Sequence, residues 1–391
     1  MRPVLANTVL AAVGAVLAAA TIAAPAAAAS PSPAAIGPAI GGAQLSGRGV
    51  LVNYPSGSVP RLPKIKASAW VIADAGTGQV LAAKDPHGWF RPASTLKVLT
   101  AISLIPARDP NAMVVASKQA TTVSPNIVGL LAGHSYKVSD LFTALLTISA
   151  NDAAMTLAQA TGSLSQGMTV INAEARHLQA DDTVAVDPNG LDAPGQRTSA
   201  YDLALIARQA LKLPAFLKYD QTISARFVVA RRKAVELYNQ NSLLTTYSGA
   251  VGGKIGWTSA AGATYVGMAS RHGVTLIVTL LHCPALTEIS SAKSLLNWGF
   301  AADGKVSQVG TLVGPLLPPS AAPAAAAAPT AATVRPTPAA VMTGPRPVSG
   351  PSVLATVGFS CLAVTVAVLG FASSRRRRLR AAQADRARDR V

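Results

Sequence analysis

Residues Arg91-Pro-Ala-Ser94-Thr-Leu-Lys97-Val-Leu-Thr100 place a serine and a lysine three positions apart at the start of an apolar stretch. Pro92 suits a first helical turn, where its missing N–H would be unpaired in any case. Leu96, Val98, Leu99, Ile102 and Leu104 continue the segment and predict a largely buried helix. Positions i and i+3 share a helix face, so the Lys97 amine is within reach of the Ser94 hydroxyl. Burial strips hydration from an ammonium and favours the neutral amine, which is the base an activated serine nucleophile needs. Spacing alone does not establish this, because Ser290-Ser-Ala-Lys293 repeats it within Ser290–Phe300, an ordinary amphipathic closing helix.

Two further motifs supply what such a pair lacks. Ser149-Ala-Asn151 interrupts helical patterns at Val138–Ile148 and Ala153–Ala160, and so reads as a turn between helices. A turn of this kind presents a hydroxyl able to relay a proton and an amide able to hold a substrate amide. Ser124-Pro125-Asn126 has the same pattern but lies in an irregular Thr/Ser/Pro stretch without flanking helices, so Ser149 is the better candidate. Lys254-Ile-Gly-Trp257-Thr258 reads as a strand whose glycine allows close backbone approach, a wall along which a peptide lies as an added strand. Its ammonium attracts a carboxylate and the Thr258 hydroxyl donates to one. Taken alone, the plainer reading is an exposed strand lysine beside a turn.

The order of elements gives the fold class. Ala67–Asp74 and Gln79–Lys84 flank Ala75-Gly-Thr-Gly78 as a hairpin, and helical patterns follow through Ser163–Leu178 and Ala200–Leu211. Asp187-Pro-Asn-Gly-Leu-Asp192 is a loop by its turn residues. From Gln221 onward the pattern becomes strand-like, at Thr222–Ala230, Lys233–Leu237, Gly252–Trp257, Thr264–Ser270 and Val274–Leu281. Strands early and late with helices between predict an α/β (α+β) domain, an antiparallel sheet packed against helices with a helical subdomain.

The ends have other roles. Met1 to about Ala29 has Arg2, a long apolar run and Ala27-Ala-Ala29, the pattern of a signal peptide; an uncleaved anchor is the alternative. Val353–Ala372 carries no charge over 20 residues, enough to cross about 30 Å of hydrocarbon as a helix. The eight arginines after it against Asp385 and Asp389 leave a net +6, which places this tail in the cytoplasm and the body outside. The reading divides the chain into a signal peptide (1–29), a flexible lead-in (30–64), a folded body (65–305), an Ala/Pro-rich linker (306–352), a membrane helix (353–372) and a basic tail (373–391).

Without the tail, Arg2, Arg335 and Arg346, the formal +17 falls to +8. Those charges are scattered, with few aromatics and no nucleic-acid motif, so a solvated face is expected and no nucleic-acid partner. Cys283 and Cys361 lie in the body and the membrane span and imply no disulfide framework. His87, His134, His177, His272 and His282 show no metal spacing, so neither metal nor cofactor is expected.

Together and in this order, the three motifs resemble the S-x-x-K, S-x-N and K-T-G set of the serine penicillin-binding proteins and β-lactamases. Arg91–Lys97, Ser149–Asp152, Asn189-Gly-Leu-Asp192 and Ser199–Ala204 bring the body, roughly Lys64–Ala301, close to low-molecular-mass D-alanyl-D-alanine carboxypeptidases. The linker, membrane helix and arginine tail are similar to actinobacterial members. The resemblance implies catalytic Ser94, Lys97 and Ser149, and substrate-binding Asn151, Lys254, Thr258 and Trp257. Ser94 would be acylated by peptidoglycan stem peptides ending in D-Ala-D-Ala, releasing D-alanine, and by β-lactams. The backbone N–H groups of Ser94 and Trp257 would form the oxyanion hole. Two residues depart from the pattern: Ile255 stands where the family usually has Thr or Ser, and Gln240 where some relatives place an arginine. The alternatives are a catalytically weak wall-binding protein or a β-lactamase. The second lacks a placed deacylating carboxylate, since Glu174 falls within a helical pattern.

Overall fold

The computed structural model describes residues 39–55 and 59–317. The signal peptide, the first part of the lead-in, most of the linker, the membrane helix and the basic tail lie outside the described residues. In chain order the elements are β1 (Val50–Val52), β2 (Ala69–Asp74), β3 (Gln79–Lys84), α1 (Leu96–Leu104), β4 (Met113–Val115), α2 (Lys118–Thr121), β5 (Ser135–Lys137), α3 (Val138–Thr147), α4 (Asn151–Gln159) and α5 (Leu164–His177). They continue as α6 (Ala200–Ala210), α7 (Pro214–Asp220), β6 (Ser224–Ala230), β7 (Lys233–Tyr238), α8 (Leu243–Thr246), β8 (Ala250–Thr258), β9 (Gly262–Arg271), β10 (Val274–Cys283), α9 (Glu288–Ala302) and β11 (Gly310–Thr311).

The main sheet has the order β1-β3-β2-β10-β9-β8, with β11 also paired to β3, and every pairing is antiparallel. Side chains alternate between faces, and here both faces are apolar. Val71, Ala73, Val266, Met268, Ile277 and Leu281 join one core with Leu96, Val98 and Leu99 of α1 and Leu203 and Ile206 of α6. Trp70, Ile72, Tyr265, Leu276, Val278 and Leu280 join a second core with Ala292, Leu295 and Leu296 of α9. Each Val, Leu, Ile or Met among them, fully buried, contributes about 1.5–3 kcal/mol. Two-sided burial is why β2, β9 and β10 read as nearly continuous apolar runs in the sequence.

Three features differ from expectation. The lead-in is not irregular throughout: Leu45 is fully buried, β1 pairs with β3, and Tyr54 Oη accepts from Leu62 N at 2.7 Å. Its few apolar residues, scattered among Gly, Ser and Pro, complete a sheet edge and have no periodicity of their own. The body also runs past residue 305, since β11 pairs with β3 and Val309 and Leu312 are buried. The strands β6 and β7 form a separate two-stranded sheet. Only one face of that hairpin is apolar, with Phe227, Val229 and Leu237 buried and Val228 and Tyr238 exposed.

Helix α9 approaches the sheet at Gly299, where an added Cβ would meet Ile72 Cδ1 and lie 2.7 Å from Leu276 Cδ1. Gly299→Val is expected to destabilise the protein by about 1–3 kcal/mol by overpacking. Urea unfolding measures this, and an unchanged midpoint would show that the helix shifts without cost.

Candidate active site

Ser94 lies in a 3₁₀ turn, Ala93–Thr95, that runs directly into α1. The turn is tied down by main-chain contacts at Pro92 O, which accepts from Thr95 Oγ1 at 2.6 Å and from Thr264 Oγ1 of β9 at 2.8 Å. Gly256 of β8 lies so close that a Cβ there would sit 2.7 Å from Ser94 N. A glycine in the strand therefore lets the sheet backbone meet the turn that carries Ser94.

Lys97 is fully buried. Its Nζ lies 2.9 Å from Ser94 Oγ, 2.6 Å from Asn151 Oδ1 and 2.6 Å from Asn189 O. Desolvation, and then the charge of Lys254, hold its amine well below the ordinary lysine range. A neutral amine has two hydrogens and one lone pair. Asn151 Oδ1 and Asn189 O are acceptors only and take the two hydrogens, so the lone pair is left for the Ser94 hydroxyl. The geometry thus sets Lys97 to accept the Ser94 proton.

Asn151 opens α4, and Ser149 sits in the preceding turn in the left-handed region, φ 63°. The Ser149 hydroxyl is buried without a hydrogen-bond partner. Ser124-Pro125-Asn126, the rival motif, is the brace of this turn. Asn126 Nδ2 donates to Ile148 O at 2.7 Å and Ser149 O at 2.9 Å, while Asn126 O accepts from Asn151 N at 2.8 Å. Pro125 O accepts from Asn151 Nδ2. Asn151 is thereby fixed with its oxygen toward Lys97.

On β8, Lys254, Gly256 and Thr258 alternate with Ile255 and Trp257. The Lys254 amine donates to Ile255 O at 2.8 Å, and burial pulls it down to about 7 against the opposing pull of Asp220. Asp220, absent from every sequence motif, ends α7 beneath this strand, and its Oδ2 accepts from Gly253 N at 2.7 Å. Its other oxygen is buried without a partner, and burial pushes the carboxyl up to about 7. Thr258 Oγ1 donates to Asp192 Oδ1 at 3.0 Å, and Asp192 also pairs with Arg91 at 3.4 Å. Trp257 is exposed.

These groups surround one cleft of about 520 Å³, lined by Ser94, Ser149, Asn151, Gln240, Ile255, Trp257 and Thr258, with Asn126, Leu286 and Glu288 among its other walls. Lys97 and Lys254 lie behind that lining. Both departures, Gln240 and Ile255, face the cleft. Glu174 is away from it, on α5 beside His177. His87, Asp182 and Asp202 come within 4.8 Å of one another, although their sequence spacing gives no sign of it. Every arm of that cluster is engaged: His87 bridges Asp182 and Ile40 O, Trp89 donates to Asp182, and Thr183 donates to Asp202. The cluster ties the lead-in to the body.

The chain matches the family described as D-alanyl-D-alanine carboxypeptidase, Peptidase S11, over residues 56–284. It belongs to that family. It is 39% identical over 264 residues to the D-alanyl-D-alanine carboxypeptidase DacB2 of Mycobacterium tuberculosis, covering 66% of this chain and 90% of that protein. A solved D-alanyl-D-alanine carboxypeptidase of the same organism superposes with a TM-score of 0.62 at 39% identity, over 67% of this chain and 99% of that one. A variant of the Streptomyces K15 DD-transpeptidase gives 0.59 at 27% identity, over 61% of this chain and 99% of that one. The fold is that of the penicillin-binding DD-peptidases.

The loop that supplies Asn189 O rests on Gly190 (φ 82°), where a Cβ would collide with Ala93 O. Gly190→Ala is expected to lower the melting temperature by about 5 °C or more, through strain and the lost close approach. Thermal unfolding that matches wild type would show that the loop relaxes freely.

Proposed function

We propose that this chain removes the terminal D-alanine from peptidoglycan stem peptides through an acyl-enzyme on Ser94. The observation that carries the reading is Lys97, buried with two acceptors that leave its lone pair for the Ser94 hydroxyl. Ser94 Oγ attacks the carbonyl between the two D-alanines while Lys97 accepts its proton. The free hydroxyl of Ser149 relays a proton to the departing amine, and the C–N bond breaks. Asn151 holds the acyl-side amide. The N–H groups of Ser94 and Trp257 stabilise the oxyanion, a contribution of about 3–4 kcal/mol per donor. Lys254 sets the local potential at the C-terminal end. Water then hydrolyses the ester. β-Lactams acylate the same serine and stay bound.

The cellular setting belongs to the same proposal: export by the N-terminal segment, a single C-terminal membrane helix, and a body outside the cell held off the bilayer by the linker. The supports are the charge and hydropathy of those segments. No helix among the described residues is long and apolar enough to cross a membrane. A second reading, a wall-binding protein of weak turnover, draws on Ile255 and Gln240 lining the cleft.

D-Alanine release from a Lys-D-Ala-D-Ala peptide is expected from wild type and absent from Ser94→Ala. No release from folded wild type would move the weight to the binding protein. The charged form of Lys254 is favoured by the Asp220 anion, so Asp220→Asn lowers the Lys254 value further below its ordinary range. The alkaline limb of kcat/KM therefore moves to lower pH in that variant. A limb that stays in place would separate Lys254 from the pH dependence.

A further inference from the structure

We propose that Asp152 is a positioning residue for the acylation of Ser94: its buried carboxylate anchors the cleft-wall loop that holds Asn151, and through Asn151 it orients Lys97. The proposal rests on the reading of Ser94 as the acylated nucleophile.

Asp152 lies in the first turn of α4, directly after Asn151, and is fully buried. Its Oδ1 accepts from Val128 N and from Ala153 N, both at 3.0 Å, and its Oδ2 accepts from Gly129 N at 2.8 Å and Leu130 N at 2.9 Å. Among the described residues no cation pairs with it. Backbone N–H groups therefore take the place of solvent around the carboxylate, as in an anion-binding nest. Gly129, at φ 92°, turns three successive loop amides toward it.

The loop held in this way carries the brace of the Ser149-Asn151 turn. Pro125, Asn126 and Ile127 are exposed, and the first two line the cleft, so no buried side chain fixes this segment. Yet Pro125 O accepts from Asn151 Nδ2, Asn126 O accepts from Asn151 N, and Asn126 Nδ2 donates to Ile148 O and Ser149 O. On its C-terminal side the segment is fixed at once by Val128, whose side chain is buried and whose N–H reaches Asp152. The contacts close a ring: the loop grips the Asn151 side chain, and the neighbouring side chain grips the loop.

The ring bears on the chemistry through the Asn151 amide. While Pro125 O holds its NH₂, its oxygen faces Lys97 and takes one amine hydrogen. A slack loop lets the amide turn over and present NH₂ instead, which competes for the Lys97 lone pair that the Ser94 hydroxyl needs. A purely local role for Asp152, as an acceptor and negative charge in the first turn of α4, predicts lost stability with no dependence on the loop.

The test measures the second-order rate constant for acylation of the full chain by a fluorescent penicillin, with the melting temperature alongside. Asp152→Asn and Asn126→Ala are each expected to slow acylation about tenfold, and the double variant also about tenfold, because both act on one chain of contacts. Gly129→Ala, whose Cβ meets open space but whose φ strains the same turn, is expected to slow it about threefold. Gly299→Val, destabilised where α9 packs on Ile72 and Leu276, is expected to acylate at the wild-type rate, which separates position from stability. Wild-type acylation in Asp152→Asn, or in Gly129→Ala should the former not fold, overturns the proposal. Single losses that multiply in the double variant, or equal slowing in Gly299→Val, do the same. Wild type that is not acylated overturns the reading of Ser94 instead.

Discussion

The site depends on one buried amine. Lys97 has no water to solvate a charge, and its two acceptor neighbours come from different parts of the chain, Asn151 at the start of α4 and the main chain at Asn189. Either acceptor alone would leave a hydrogen free to compete for the Ser94 oxygen. Both together orient the lone pair. Much of the surrounding structure holds those two oxygens still. Asn126 braces the turn carrying Asn151, and Asp187 Oδ1 accepts from Asn189 N at 2.6 Å and Gly190 N at 2.8 Å to shape the second loop.

A second buried lysine raises the cost of the first. The charge of Lys254 disfavours that of Lys97, and Asp220, whose Oδ2 accepts from Gly253 N, favours the charged form of Lys254. The carboxyl of Asp220 is itself desolvated, so its anion is expensive to maintain. These groups also act on the stability curve in opposite senses. Lys97 and Lys254, neutral when folded and charged when unfolded, make stability rise with pH above their folded values, up to the ordinary lysine range. Asp220, and Asp202 pushed up to about 8, hold protons that the unfolded chain has released, so stability falls from the ordinary carboxylate range up to about 7 or 8.

The grouping of the candidate site's side chains was largely legible in the sequence because it is written in short local spacings. Ser94 and Lys97 share a helical turn, Ser149 and Asn151 share one interhelical turn, and Lys254 shares a strand with Gly256. Long central strands were legible for the same reason, since burial on both faces leaves unbroken apolar runs. What escaped notice acts across distance or through the backbone. Asn189 contributes a carbonyl, which no side-chain pattern records. Asp220 and Glu288 stand at helix ends, where a carboxylate ordinarily means only a solvated charge. The short strand β1 has too few residues for any period, and only the unpaired edge of β3 gives it a place.

The strand β8 is the open margin of the main sheet, and its pairing with β9 shifts register between Ala250 and Gly252. An unpaired margin accepts any extended backbone, including that of another protein. The register break bends the strand near its start and leaves a straight segment of about six residues, Gly253–Thr258, roughly 20 Å long. On the proposed reading, the end of a peptide substrate would lie along this segment as an added strand, and its few residues bound the ladder such a guest can form.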